Sequence, residues 1–204
     1  MLKDLIKFIL KNSIIFALVS FAFSMIGAFF PESEFTVVIG NPLVVSSVTY
    51  EHVLGHVFWG AIIGLGTLSI RYIILGGSFA IFLDSDHLLQ FLDIELVSRM
   101  SHSIPFAAIV SIVFFVILRG KDIRMCAVAF GAVLSHIAFD IFLADVANNS
   151  DTKFPLFSPF TFETVSLQGL DWLVIQIIGV SIVAITSYLF KRKQVRLKNR
   201  LTKT

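Results

Sequence analysis

Six apolar runs, roughly 11–30, 51–70, 72–92, 102–118, 123–144 and 170–190, take up most of this 204-residue chain. A helix needs about 20 apolar residues, within a range of about 17–25, to cross the hydrocarbon core of a bilayer, and each run meets or nearly meets that length. Hydrophobic residues make up 56% of the chain and charged residues only 15%, which leaves too little polar surface for a soluble domain of this size. The pattern predicts an all-α integral membrane protein, a bundle of about six transmembrane helices.

Lys3, Lys7 and Lys11 precede the first run as they would in a signal peptide. The run from Ile14 to Phe30 is too long for a signal h-region, however, and no small-x-small cleavage site follows before Pro31, so a retained helix is expected. The stretch 35–49 is apolar but interrupted by Gly40-Asn41-Pro42, and is expected to be an interfacial or re-entrant piece. No repeat or linker divides the chain. It reads as one membrane domain, 1–204, with a metal-site core over 51–160, an N-terminal helix and interfacial segment over 1–50, and a last helix and basic tail over 170–204.

The lysines and arginines give the orientation. With the N-terminus in the cytoplasm, Lys3, Lys7, Lys11, Arg71, the loop residues Arg119, Lys121 and Arg124, and the seven basic residues of the tail Lys191–Lys203 all lie inside. Only Arg99 and Lys153 lie outside. Of the acids, Asp4 and Asp122 alone fall inside. Six spans with both termini cytoplasmic satisfy this distribution.

Ionisable residues within spans cost roughly 2.5–3.5 kcal/mol each on insertion scales and mark function by default. Here they are His52 and His56 on the second run, Asp84, Asp86 and His87 on the third, His102 at the start of the fourth, and His136 and Asp140 on the fifth. With the orientation above, all eight fall in the half of the bilayer facing away from the cytoplasm. His52/His56 and His136/Asp140 are i,i+4 pairs that share a helix face. Asp84 and Asp86, at i,i+2, diverge on a regular helix, so either Gly76-Gly77 loosens the helix or the Asp84-Ser85-Asp86 turn is partly unwound. Three carboxylates and five imidazoles make a mixed N/O set suited to Zn, Mn or Fe. Their number exceeds one tetrahedral site, so either two ions bind or some members support the ligands and move protons. His56 and His87 are the candidates for such supporting or proton-carrying roles.

At these positions the chain resembles the family of predicted membrane-bound metal-dependent hydrolases, which includes LexA-regulated inner-membrane members. His52 with Gly60 and Gly64 resembles its His on a Gly-containing helix. Leu83-Asp84-Ser85-Asp86-His87 resembles its Leu-Pro-Asp-x-Asp-His block without the proline. Ser101-His102-Ser103 resembles its Thr-His-Ser block. Gly131 to Asp140 resembles its Gly-x-x-x-Ser-His-x-x-x-Asp block, followed by a Pro-Leu-x-x-Pro turn like Pro155–Pro159. Where the family has His-Arg-Gly before Thr-His-Ser, this chain has Val97, Ser98 and Arg99, and the first helix looks like an extension outside the family core.

The resemblance implies metal dependence and hydrolysis. The combined expectation is a divalent transition metal, Zn or Mn first, as one or two ions held by His52, Asp84, Asp86, His102, His136 and Asp140. His87 and His56 would move protons, and a phosphoester or lipid-like substrate would be cleaved at the outer face of the inner or plasma membrane. The aromatic, proline-rich loop Phe154–Phe162 either dips into the interface to admit a lipid headgroup or packs over the bundle. A metal-ion or proton transporter and a non-catalytic member of the family are the alternatives. Partners are membrane lipid and a small-molecule or lipid substrate; no nucleic acid is expected, because the basic tail most simply anchors the last helix to anionic lipid.

Overall fold

The structure, a computed structural model, describes residues 2–27, 29–30, 49–92, 99–146 and 152–201. Most of the interfacial piece expected at 35–49 lies outside the described residues, as do Val97 and Ser98. Six α-helices run through the described chain: α1 (Leu2–Gly27), α2 (Tyr50–Leu65), α3 (Ile70–Phe82), α4 (Ile104–Ile117), α5 (Ile123–Val146) and α6 (Asp171–Leu201). Of these, α1, α5 and α6 are long and apolar enough to cross a membrane. The 16 residues of α2 reach about 24 Å at 1.5 Å per residue, short of the ~30 Å hydrocarbon core, and α3 and α4 are shorter still.

The departures from the expected boundaries have local causes. The third run is not one helix to residue 92, because α3 ends at Phe82 and the chain tightens into a 3-10 helix over Leu83–Leu92. That change sits at Asp84-Ser85-Asp86. Gly76 and Gly77 stay within a regular helix and serve close packing instead: a Cβ on Gly60 would strike the Gly76 carbonyl oxygen, and one on Gly77 would come 2.6 Å from the Val57 oxygen. Backbone meets backbone where α2 crosses α3, the usual use of small residues between apolar helices. His102 does not begin the fourth helix; Ser103 caps it, accepting from the Phe106 amide at 3.2 Å, and His102 lies in the turn before.

Helix α5 is buried along most of its length, from Met125 to Ile141, and the other helices gather around it. Phe16 of α1 stacks on Phe79 of α3 at 4.5 Å between centroids, and Phe79 stacks in turn on Phe114 of α4 at 5.3 Å. At the basic end, Asp122 accepts from Arg124 Nε at 2.9 Å and Nη2 at 2.8 Å, and from the Tyr72 hydroxyl. The Arg124 guanidinium also lies over the Phe190 ring at 4.5 Å, so this knot ties α3, α5 and α6. Burial pushes the Asp122 carboxyl up, but the hydrogen bonds from Arg124 and Tyr72 outweigh it and hold it below the usual carboxylate range.

A short antiparallel hairpin pairs Thr152–Phe154 (β1) with Val165–Leu167 (β2), an element absent from the expectation. It closes off the aromatic loop between them. Phe154 and Ser158 are buried, and the Leu156 carbonyl accepts from the Ile104 amide at 2.9 Å, so this part of the loop packs over the bundle. Phe160, at the tip, is 85% exposed.

Candidate metal centre

All five histidines of the chain converge on one carboxylate, that of Asp84. Its Oδ1 lies 3.2 Å from His136 Nε2, 3.6 Å from His102 Nε2 and 3.6 Å from His87 Nε2. Its Oδ2 lies 3.5 Å from His52 Nε2 and 3.7 Å from His56 Nε2. Four separate elements supply these side chains: α2, the 3-10 helix, the turn before α4, and α5. Asp140, one turn beyond His136 on α5, adds a second carboxylate, 3.2 Å from His56 Nε2 and 3.4 Å from His136 Nε2.

The change of helix type after Phe82 makes this possible. Within an α-helix Asp84 would be presented at 100° from its neighbours, on a face fixed by the packing of Phe79 and Leu83. The 3-10 geometry re-aims it, and α1 holds the tightened segment from outside: the Ser20 hydroxyl donates to the Leu83 carbonyl at 3.0 Å and the Ser85 hydroxyl donates to the Ala17 carbonyl at 3.0 Å.

The imidazoles are oriented as well as gathered. His136 Nδ1 lies 2.7 Å from the Ala80 carbonyl oxygen, which can only accept, so the proton is on Nδ1 and Nε2 faces the centre. His136 Nε2 stands 3.0 Å from His102 Nε2, and His52 Nε2 stands 2.9 Å from His56 Nε2. The His56 ring lies flat on His136 and is packed edge-on by Phe139 at 4.7 Å.

Several polar atoms are left over. Asp84 Oδ2, Asp86 Oδ1, Asp140 Oδ2 and His56 Nδ1 are buried without a hydrogen-bond partner among the described residues. Each such atom costs about 1–3 kcal/mol, a cost that a cation bound between the carboxylates and imidazole nitrogens would relieve. Four groups of three have ligand atoms all within 4.8 Å of one another: His52/His56/Asp140, His56/Asp84/His136, His102/His136/Asp140 and Asp84/Asp86/His87. The residues therefore fit a divalent ion, and the donor set is of the mixed N/O kind.

Two residues are placed in ways that spacing does not show. His56, expected to carry protons, has no exposed side-chain surface and belongs to two of the ligand groups. Asp86, expected as a ligand, turns one oxygen away from the centre: Oδ2 accepts from the Ser24 hydroxyl at 3.1 Å. His52, His102, His136, Asp84 and Asp140 are brought together in the cluster, and His87 sits at its rim with slight exposure. Ser24 and Phe139 border the site without having been anticipated. The only trace of Ser24 in the sequence is a hydroxyl four residues from Ser20 in an otherwise apolar run.

No family model matches the chain, and neither a curated protein nor a solved structure matches it. The resemblance to the membrane-bound hydrolases therefore stands on the four sequence blocks alone.

Proposed function

We propose that this chain is a metal-dependent hydrolase of the inner or plasma membrane, of the kind its four sequence blocks resemble, with the Asp84 centre in the half of the bilayer away from the cytoplasm. The observation that carries this reading is the convergence of every histidine in the chain on Asp84 inside an apolar bundle, where ionisable groups are expensive and kept for function. Zn or Mn, as one or two ions, suits the donors. The Lys/Arg distribution supports six spans with both termini in the cytoplasm; in this arrangement the short helices α2, α3 and α4 are completed by the polar turns that build the site.

His56, His136, His102, Asp84 and Asp140 would hold the metal, with His52 closing the set toward the rim. When bound, a divalent ion polarises a phosphoryl or acyl oxygen and makes water a competent nucleophile near neutral pH. His87, at the rim and 3.6 Å from Asp84 Oδ1, accepts and returns the proton that hydrolysis moves. Phe154, whose ring stacks over His102 at 6.5 Å between centroids, shields the centre on one side and limits water. The exposed Phe160 points to the lipid surface as the place from which a phosphoester or lipid-like substrate arrives.

Transport is disfavoured by what lies on the cytoplasmic side of the centre. There Phe16, Phe79, Phe106 and Ile63 are fully buried in a continuous apolar core, and no relay of ionisable side chains leads through it among the described residues. The test is hydrolysis of p-nitrophenyl phosphomonoesters and diesters and of phospholipid vesicles by Zn- and Mn-loaded protein. Turnover lost in Asp140→Asn and reduced at least tenfold in His87→Gln supports hydrolysis. Metal-loaded protein that cleaves none of them, yet moves the ion across sealed vesicles, supports the transporter reading.

A further inference from the structure

Arg99 opens the turn that carries His102, and it does so with φ at 42°, in the left-handed region. Its carbonyl accepts from the His102 amide at 2.9 Å, and the four residues that follow, Met100 to Ser103, are fully buried. Leu68 and Arg119 are also left-handed, but they lie in the turns after α2 and α4, where such a residue commonly closes a helix. A side chain at positive φ costs free energy that glycine would not, and backbone outliers of this kind concentrate at functional sites.

The guanidinium is uncommitted. Arg99 is half-buried, yet its side chain makes no hydrogen bond or ion pair among the described residues, although three carboxylates gather at the neighbouring centre. Its charge nonetheless acts on the His102 ring, so it stands close to that centre. Lys153 is the other basic residue on the outer side in the proposed orientation, and it faces elsewhere. Its strand neighbour Phe154 turns toward His102, and successive strand residues point to opposite faces. Among the described residues, Arg99 is thus the cation beside the centre.

A planar guanidinium presents its N–H donors in a fork that matches phosphate oxygens. A phosphoester carries negative oxygens before any reaction, whereas an acyl ester is neutral and gives such a donor no charge to hold. We propose that Arg99 anchors the anionic phosphoryl group of the substrate beside the Asp84 centre, which makes the substrate a phosphoester and not an acyl ester. The assignment rests on the metal-dependent hydrolase reading and adds to it a specificity-determining residue that touches the substrate. The left-handed backbone is then what it costs to hold the guanidinium there: glycine would relax the turn and lose the anchor.

The probe is inorganic phosphate, titrated calorimetrically into the full chain in detergent, loaded with Co²⁺ and freed of unbound ion. The wild type should bind it. Arg99→Gly and Arg99→Gln should bind it about tenfold or more weakly, as the loss of hydrogen bonds to a charged group implies, with Arg99→Lys between. Arg99→Gly should also unfold at a higher temperature than the wild type and bind Co²⁺ no more weakly, a combination that a structural role for the side chain would not give. Phosphate affinity unchanged in Arg99→Gly and Arg99→Gln overturns the anchor, as does a wild type that takes up Co²⁺ but no phosphate. So does an Arg99→Gly chain that loses stability and Co²⁺ together, since Arg99 would then serve the turn. If the wild type takes up no Co²⁺, the metal reading falls, and the same titration on metal-free protein decides the anchor. Phosphate binding that Arg99→Gly and Arg99→Gln weaken sustains it, and absence of binding overturns it. None of these readouts needs turnover, so a failure of hydrolysis is told apart from a failure of the anchor.

Discussion

The imidazole rings of His56 and His136 stack face to face, 3.8 Å between centroids and 7° from parallel, although they belong to different helices. Their Nε2 atoms both reach Asp140 as well as Asp84. The stack sets two nitrogen donors side by side against two carboxylates, and it sits where α2 and α5 meet.

Replacing His56 by Phe keeps a flat ring on His136 and removes the donor nitrogens. The expected outcome is near-normal thermal stability in detergent with Co²⁺ affinity reduced at least tenfold. Equal loss of folding and binding would assign His56 to packing alone.

The contact between α2 and α3 tolerates no side chain at Gly60, where a Cβ would strike the Gly76 carbonyl oxygen. Gly60→Ala should destabilise the bundle by about 1–3 kcal/mol or more, as overpacking does, read as a lowered unfolding midpoint. An unchanged midpoint would mean the two backbones are further apart than described.

At the opposite end, Asp122 is held below the usual carboxylate range. A folded value below the unfolded one, about 4, stabilises the protein above that pH, and the contribution fades as pH falls through the folded value. Asp122 is 24% exposed at its side chain, so the contribution is limited to about 1 kcal/mol. The stability lost between pH 6 and pH 3 should be smaller in Asp122→Asn than in the wild type; identical losses would remove this knot from the stability account.

Orientation is open to direct labelling. In a Cys126→Ser background, Lys153→Cys should react with an impermeant maleimide in intact cells, and Lys121→Cys only after the membrane is opened. The reverse pattern would invert the proposed topology and put the centre on the cytoplasmic side.

How much of this was legible in the sequence depends on how local each feature is. His136 and Asp140 could be paired from spacing because α5 is a regular helix and i,i+4 is a property of the helix itself. Asp84 and Asp86 announced a difficulty by their i,i+2 spacing; the backbone does depart from a regular α-helix there, but by tightening into a 3-10 helix rather than unwinding, while the glycines serve the α2–α3 contact. The extent of the 3-10 segment was not readable, since it depends on hydrogen bonds with α1 more than 60 residues away, from the Ser20 hydroxyl to the Leu83 carbonyl and from the Ser85 hydroxyl to the Ala17 carbonyl. Ser24 was invisible for the same reason: a lone serine in an apolar run carries no mark of the partner that tertiary packing will give it. The hairpin escaped because three-residue strands within a Phe/Pro-rich loop show no alternation. Spacing pairs His56 with His52 but does not show that its ring lies on His136.

The central claim is that the five histidines surround Asp84 in order to hold a metal. The most direct measurement is elemental analysis of protein purified under metal-replete conditions, wild type beside Asp84→Asn/His136→Gln. The account predicts about one or two equivalents of Zn or Mn in the wild type and none in a double variant that remains folded. A folded wild-type protein free of transition metal would contradict it.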